Sequence, residues 1–140
     1  MYCATKFAVR AVAEAMDEEI EPLGLRSLYI EPGYFRTSFL QAGNRGTYIS
    51  RIKDYETLLS QRYEMLASHD GKQTGDPKKL VQLVIDYVRK EGAFKDAGND
   101  YPGGLPVGSD AHGMLKQKLE AQLALVERWK DVITGTDFSE

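Results

Sequence analysis

The chain has 140 residues, which is long enough for one domain, because a domain near this size buries about 70% of the surface that its unfolded chain exposes. Its formal net charge of −3 is small and both signs are mixed along the chain, which argues against a nucleic-acid or membrane-surface partner. No stretch approaches the roughly 18 apolar residues of a membrane span, so we expect a cytoplasmic protein with a small-molecule or protein partner.

The first predicted element is a helix over 2–21, where apolar residues recur at helical spacing and alanine is frequent. Pro22 and Gly24 are predicted to end it. The single cysteine, Cys3, has no second thiol for a disulfide, and we expect it to be a small, buried or half-buried residue of this helix. No capping residue precedes the helix, so we also expect the sequence to be a piece of a longer protein.

A short buried strand is predicted within 25–31, bounded by Pro32 and Gly33. A loop follows over 34–46. The segment 48–68 has a mixed pattern of apolar residues, which predicts one or two helices.

The second half of the chain is predicted to contain two helices around a second strand. Asp76 is the predicted N-cap of a helix that ends before Gly92. The segment 101–108 contains two prolines and is therefore predicted to be an edge or terminal strand. Ser109 or Asp110 is the predicted cap of the last helix. Five of its apolar residues are predicted to face inward: Leu115, Leu119, Leu123, Val126 and Trp129.

This order of helices and strands is the alternation that builds parallel α/β sheets. Only two strands are predicted, however. A two-stranded parallel sheet leaves strand edges unpaired and leaves apolar helix surface without a partner. The sequence therefore predicts an incomplete α/β sheet.

Tyr2 and Lys6 lie four residues apart, which places a phenol and an ammonium one turn from each other on one face of the first helix. A free tyrosine is a poor base at neutral pH, whereas a nearby ammonium favours the phenolate that accepts a proton. Alone, such a pair is more often an exposed helical pair than a proton-transfer site. Its meaning therefore depends on the surrounding sequence.

The residues around the pair, Tyr-Cys-Ala-Thr-Lys-Phe-Ala-Val at 2–9, resemble the Tyr-x-(Ala/Ser)-(Ser/Thr)-Lys-x-Ala helix of the short-chain dehydrogenases/reductases. The segment 30–37, Ile-Glu-Pro-Gly-Tyr-Phe-Arg-Thr, resembles that family's strand end with its Pro-Gly-x-x-x-Thr signature. The segment 105–111 resembles the last strand and the start of the final helix in a subgroup with a longer C-terminal tail. The chain thus resembles the C-terminal half of a short-chain dehydrogenase/reductase, starting at the catalytic Tyr-x-x-x-Lys motif.

The resemblance implies an α/β fold that is the C-terminal part of a Rossmann-like, doubly wound parallel sheet. It would contain two strands with flanking helices, and the N-terminal cofactor-binding half would be absent. Residues 1–140 would form a single partial NAD(P)-binding domain, in which 38–75 is the flap over the substrate.

By the same resemblance, Tyr2 and Lys6 are catalytic residues that also contact the cofactor. The tyrosine would exchange a proton with the substrate oxygen, and the lysine would also bond to the nicotinamide ribose.

Pro32 and Gly33 would let the backbone leave the strand and pass close to a flat ring, because glycine has no Cβ. The resemblance assigns the backbone near Phe35 and the hydroxyl of Thr37 to the nicotinamide carboxamide. Phe35 is larger than the aliphatic residue common at that position. The other interpretation is an ordinary turn after a strand.

The resemblance implies an NAD(P)-dependent oxidoreductase that transfers hydride between an alcohol or ketone and NAD or NADP, with NADP slightly preferred. The glycine-rich turn that holds the pyrophosphate and the family's catalytic serine are not in this sequence, so we expect the 140-residue chain to be inactive by itself. The alternative is a catalytically dead interaction module that forms a homo-oligomer through helix 2–21. No metal site is predicted, since neither histidine has a second ligand at metal spacing.

Overall fold

The helices and strands alternate along the chain. The computed structural model describes residues 2–44, 49–98 and 101–138. Its elements are helix α1 (Tyr2–Ile20), strand β1 (Tyr29–Pro32), helices α2 (Glu56–Ser68) and α3 (Pro77–Arg89), strand β2 (Gly104–Val107), and helices α4 (Ser109–Arg128) and α5 (Lys130–Thr134). Single 3-10 turns lie at Glu21–Leu23, Ser38–Leu40, Lys53–Tyr55 and Gly92–Phe94.

The two strands pair in parallel, with Tyr29 opposite Gly104 and Pro32 opposite Val107. This confirms the predicted α/β arrangement of two parallel strands with flanking helices. The ring of Tyr29 lies against Gly104, where a Cβ would overlap it. Within the described residues, the other edge of β1 pairs with no strand.

The strand β1 begins later than the predicted segment 25–31. Residues Arg26 and Ser27 bond to Asp17 of α1 instead of to a neighbouring strand. The first contact across the sheet is the bond from the amide of Tyr29 to the carbonyl of Gly103, at 3.0 Å. These bonds hold the residues before the apolar run Leu28-Tyr29-Ile30, which is the part of the segment predicted as the strand, and Tyr29 and Ile30 of that run lie in β1.

Helix α1 matches the predicted helix to within one residue. It passes into a 3-10 turn that contains Pro22, and Gly24 closes the turn in the left-handed conformation, with φ of 74°. The prediction that Cys3 is buried or half-buried is wrong, because its side chain is exposed. The half-buried residues of α1 begin at Arg10, and all of residues 2–9 are exposed, so Cys3 lies in a part of the helix that nothing covers in the described residues.

A cluster of three aromatic residues joins the end of α3 to the start of β2. Phe94 is buried, and the ring of Tyr87 meets it edge-on at 5.3 Å between centroids. The hydroxyl of Tyr101 donates to the carbonyl of Phe94 at 2.8 Å, and that of Tyr87 donates to the carbonyl of Pro102 at 3.1 Å. Burial raises the pKa of Tyr87. The cluster therefore fixes where β2 begins.

Helix α3 begins as predicted, because the Asp76 side chain accepts a bond from the amide of Lys78 at 2.9 Å. Helix α2 also lies inside the predicted helical segment, although the predicted beginning at Tyr48 lies outside the described residues. No helix in the ranges 2–44, 49–98 and 101–138 combines the length and the apolar character that a membrane span needs.

Helix α4 departs from the prediction at its start and on its apolar face. Gly108, with φ of 114°, is the N-cap, so neither Ser109 nor Asp110 caps the helix. Of the five residues predicted to face inward, only Leu115 is half-buried. The other four are exposed: Leu119, Leu123, Val126 and Trp129. In the described part of the chain, burial on α4 ends after this first stretch.

Candidate functional site

Tyr2 and Lys6 lie in the first turns of α1, one turn apart as predicted. The Nζ of Lys6 is 5.5 Å from the centre of the Tyr2 ring. The side chain of Tyr2 is 62% exposed. The phenol is therefore open to a reactant, and the ammonium lies beside it.

An ion pair fixes the second half of α1 against the strands. The carboxylate of Asp17 accepts two bonds from the guanidinium of Arg26, at 3.0 and 2.9 Å, and a third from the amide of Ser27 at 2.7 Å. Arg26 also donates to the carbonyl of Tyr101 at 3.3 Å. These bonds to Arg26 and Ser27 hold the pKa of Asp17 below its ordinary value, and the carboxylate in turn raises the pKa of Arg26.

A second set of contacts fixes the middle of α1 to β1. The guanidinium of Arg10 lies 5.0 Å from the centre of the Tyr29 ring and bonds to Glu14 at 2.8 Å. It also reaches Glu31 at 3.5 Å. The pKa of Glu14 is lowered by its bond to Arg10, and burial raises the pKa of Tyr29. Two anchors at Arg10 and Asp17 thus set the direction of the helix that carries Tyr2.

The residues 33–37, called here the post-strand loop, continue from β1. The amide of Gly33 donates to the carbonyl of Val107 at 2.8 Å, which extends the pairing of the strands by one residue. The amide of Tyr34 donates to Oδ2 of Asp110 at 2.6 Å. A Cβ at Gly33 would overlap the Asp110 carboxylate, so any larger residue here would displace that side chain.

A neighbouring segment holds the other side of the post-strand loop. Phe35 and Gly75 form a parallel bridge, in which Gly75 donates to the carbonyl of Tyr34 at 3.0 Å and Arg36 donates to that of Gly75 at 2.9 Å. The guanidinium of Arg36 also donates to the carbonyl of Gln73 at 3.1 and 2.9 Å. The loop is therefore held from both sides.

The size of Phe35 is accommodated by Gly75. A Cβ at Gly75 would lie 2.7 Å from the Phe35 ring. The ring lines an open groove of about 240 Å³ together with Leu80, Leu83 and Val107. The large side chain therefore packs towards α3 without blocking the backbone of the loop.

The donors of the post-strand loop fit a carboxamide. The amides of Gly33, Tyr34, Arg36 and Thr37 all donate to the described protein, whereas within the described residues the amide of Phe35 has no such partner. The hydroxyl of Thr37 accepts a bond from the amide of Phe39 at 3.3 Å, so its hydrogen can still donate.

The structure brings the start of α1 to the post-strand loop through one aromatic contact. The rings of Tyr2 and Phe39 lie 6.4 Å apart between centroids, and Phe39 follows the loop by two residues. Among the described residues, no hydrogen bond joins Tyr2 directly to the loop. Tyr2 and Lys6 thus lie on the side of the strands where the loop emerges, and Pro32 remains in the strand ladder.

Sequence reasoning missed Asp110 and Gly75 as residues of this site. Asp110 follows a serine at a helix start, a pattern that by itself favours a helix cap. Gly75 precedes the N-cap Asp76, and the large residue at Phe35 was the one signal that a glycine must lie opposite. Within residues 2–44, 49–98 and 101–138, no three His, Cys, Asp or Glu side chains form a group that could hold a metal ion.

No family model matches the chain. An uncharacterised oxidoreductase of Bacillus subtilis is 26% identical over 93 residues, which are 64% of this chain and 32% of that protein. One of Schizosaccharomyces pombe is 26% identical over 91 residues, 65% of this chain and 37% of that protein. The 3-ketodihydrosphingosine reductase of Bacteroides thetaiotaomicron is 26% identical over 95 residues, 67% of this chain and 35% of that protein. The matched segment thus spans about a third of the length of these curated relatives.

A solved structure extends the likeness over nearly the whole chain. The crystal structure of a short-chain dehydrogenase from Streptomyces avermitilis superposes with a TM-score of 0.71 and 27% identity. The superposition covers 98% of this chain and 46% of that one.

Proposed function

Because the chain is a distant homologue of short-chain dehydrogenases and oxidoreductases, we propose that it carries the proton-transfer and nicotinamide side of an NAD(P)-dependent oxidoreductase site. On this proposal, residues 1–140 are the C-terminal part of a Rossmann-like doubly wound sheet, and 38–75 is the substrate flap. The observation that carries the proposal is the contact between the rings of Tyr2 and Phe39, which joins the Tyr-x-x-x-Lys helix to the 3-10 turn directly after the post-strand loop.

Tyr2 is the proton donor and acceptor in this proposal. A dihydronicotinamide, when bound, would supply the hydride for the reduction of a ketone. The hydroxyl of Tyr2 then gives its proton to the carbonyl oxygen, and the alcohol forms. Lys6, whose ammonium lies 5.5 Å from the centre of the Tyr2 ring, supplies a positive charge on the same side of α1. A ketone or alcohol substrate accords with the name of one relative, 3-ketodihydrosphingosine reductase.

The post-strand loop supplies the contacts to the nicotinamide end. The amide of Phe35 and the hydroxyl of Thr37 would hold the carboxamide, the amide as a donor to its oxygen. Gly33 contributes indirectly, because the space of its missing Cβ is filled by the Asp110 carboxylate and is not open to the ring. NAD and NADP share this end of the molecule, so these residues serve either cofactor, and the slight preference for NADP stays a prediction.

The test is a titration with half-cofactors. Reduced nicotinamide mononucleotide carries only the end that the proposed residues contact, whereas AMP carries only the other end. We expect the first to bind with a dissociation constant of about a millimolar, and AMP to bind more weakly. Fluorescence of the reduced nicotinamide gives the binding curve of the mononucleotide, and isothermal titration calorimetry gives that of AMP. Equal binding of both compounds, or none of either, would contradict the proposal.

Two variants separate the roles of the catalytic pair. Lys6→Ala should weaken binding of the reduced mononucleotide, because the lysine contacts the ribose. Tyr2→Phe should leave that binding nearly intact, and in a protein that carries this segment together with a cofactor-binding half it should abolish NADPH-dependent ketone reduction. Reduction by Tyr2→Phe at more than a few per cent of the wild-type rate would exclude the proton-transfer role.

A second candidate function is an interaction module that pairs with another copy through α1. The observation that favours it is an exposed apolar row on this helix: Val9 is 62%, Val12 61% and Met16 45% exposed. Sedimentation of the chain under reducing conditions tests it. A dimer that Val12→Glu dissociates would support the module, and a monomer at all concentrations would exclude it.

A further inference from the structure

The first turn of α4 places the carboxylate of Asp110 in a space that only glycine leaves open. A Cβ on Gly33 would overlap this carboxylate, and one on Gly108 would lie 2.7 Å from its Oδ1. Two glycines, one directly after each strand, thus frame one acidic side chain. Asp110 is half-buried, and its Oδ2 accepts the amide of Tyr34 at 2.6 Å.

This contact controls the direction of a neighbouring backbone group. The amide that Asp110 accepts belongs to the peptide between Gly33 and Tyr34. The next peptide contains the carbonyl of Tyr34 and the amide of Phe35 in one plane. That carbonyl accepts the amide of Gly75 at 3.0 Å. Two consecutive peptide planes are therefore held, the first by Asp110 of α4 and the second by Gly75. Together these two hydrogen bonds set the direction of the Phe35 amide.

We propose that Asp110 is a positioning residue, which sets the amide of Phe35 for a nicotinamide carboxamide by holding the peptide that precedes it. The inference rests on the proposed function of the post-strand loop. It adds a residue from the C-terminal helix, far along the chain from the Tyr-x-x-x-Lys and Pro-Gly motifs, to the residues that determine cofactor geometry.

An ordinary structural role makes a different prediction. An acidic residue in the first turn of a helix stabilises it through the helix dipole, which requires the charge and no particular acceptor. A positioning role requires an acceptor at Oδ2 and no charge. Asp110→Asn removes the charge and keeps an acceptor, whereas Asp110→Ala removes both. The two variants therefore distinguish the roles.

The experiment measures two properties of the 140-residue chain and its variants. The first is binding of reduced nicotinamide mononucleotide, and the second is hydrogen exchange at the amide of Tyr34. We expect Asp110→Ala to weaken binding about tenfold and to speed this exchange, because a charge-assisted bond is lost. Asp110→Asn should stay within about threefold of the wild type in binding, since a neutral acceptor replaces the charged one. Glu120→Ala, an exposed carboxylate on the same helix, is the matched control.

A variant from the opposite side makes the test independent of helix stability. Gly33→Ala pushes a methyl group into the space of the carboxylate, so it should also weaken binding. Gly33→Ala and Asp110→Ala disturb the same contact. The double variant should therefore lose less binding free energy for the mononucleotide than the sum of the losses in the two single variants. Additive losses would contradict the inference.

The outcomes separate this inference from the function on which it rests. If the wild type binds the mononucleotide and Asp110→Ala binds it equally well, Asp110 is no positioning residue and the proposed function stands. If Asp110→Asn is as weak as Asp110→Ala, the charge is what matters and the inference is wrong. If the wild type binds AMP and the mononucleotide alike, the proposed function fails and the inference fails with it.

Discussion

Two regions of the molecule differ in solvent exposure. One is the pair of strands with the post-strand loop, and the other is the outer faces of α1 and α4, which carry their exposed apolar residues. Every residue of 101–108, which contains β2, is half-buried, whereas every residue of 116–128 on α4 is exposed. The first region is held by backbone pairing, by Asp110 and by the Asp17–Arg26 ion pair. The second shows leucine, valine and tryptophan to solvent.

This difference in exposure indicates that the geometry of the candidate site depends on contacts inside this chain. Buried apolar residues are few in the described part of the chain, namely Leu40 and Phe94. Ordered polar contacts therefore have a large share in placing the loop and α1. The outer faces contribute little to that placement. Substitutions in the first region should therefore lower the free energy of unfolding, whereas substitutions on the outer faces should mainly change dye binding and self-association.

The largest effect on the free energy of unfolding is expected at Gly104 of β2, where the Tyr29 ring leaves no space for a side chain. Gly104→Ala would force a methyl group into the ring of Tyr29, which should lower the free energy of unfolding by about 3 kcal/mol. The control is Gly113→Ala in α4, where nothing lies within 4 Å, and which should raise it by about 0.5–1 kcal/mol. Urea unfolding followed by circular dichroism measures both. Equal effects of the two changes would show that the regions do not differ.

A smaller effect is expected where the post-strand loop meets α3. Gly75→Ala should cost about 1–3 kcal/mol, because its Cβ would lie 2.7 Å from the Phe35 ring. Adding Phe35→Val removes the ring and should restore part of this loss. The same urea titration gives the coupling between the two positions. An additive double variant would mean that the ring and Gly75 do not share space.

The Asp17–Arg26 ion pair, which holds α1 against the strands, should make the stability of the chain depend on pH in the acid range. The pKa of Asp17 is lower in the folded chain than in the unfolded chain, so its stabilisation is present above the unfolded pKa and is lost as pH falls through the folded one. Asp17→Asn should therefore melt below the wild type at pH 7, and the gap should narrow below about pH 4. Glu120→Gln, on the exposed face, should show no such gap. A gap for Asp17→Asn that stays constant with pH would contradict the assignment.

The smallest effect on stability is expected on the outer face of α4. Leu123 is 63% exposed, so Leu123→Lys should change the free energy of unfolding by less than about 0.5 kcal/mol. It should nevertheless reduce binding of a hydrophobic dye and any self-association. Leu115→Lys, at the half-buried start of the same helix, should cost more. If Leu123→Lys unfolds the chain, this face is covered in solution.

Much of this fold could be predicted from local patterns. The end of α1 follows from Pro22 and Gly24, the start of α3 follows from Asp76, and both strands lie within or beside the predicted segments. These features depend on residues close in sequence, whose capping and turn chemistry is general. The four-residue spacing likewise predicts that Tyr2 and Lys6 lie together, as observed.

The rest depends on contacts between distant parts of the chain. Periodicity identifies which residues of α4 are apolar, but not whether anything covers them, and Leu119 and Leu123 are exposed. The role of Asp110 could not be predicted, because its partner Tyr34 lies 76 residues earlier and offers only a backbone amide. Every residue except proline has a backbone amide, so a partner of this kind cannot be recognised from the side chains in the sequence.

The exposed thiol of Cys3 lies in the first turn of α1, one residue after Tyr2, and the sequence contains no other cysteine. A maleimide fluorophore would therefore attach at one known point next to the candidate site, with no mutation required. Its emission could follow ligand arrival in real time. The same thiol would join two copies in air, so a covalent dimer on a non-reducing gel would report oxidation during storage rather than assembly.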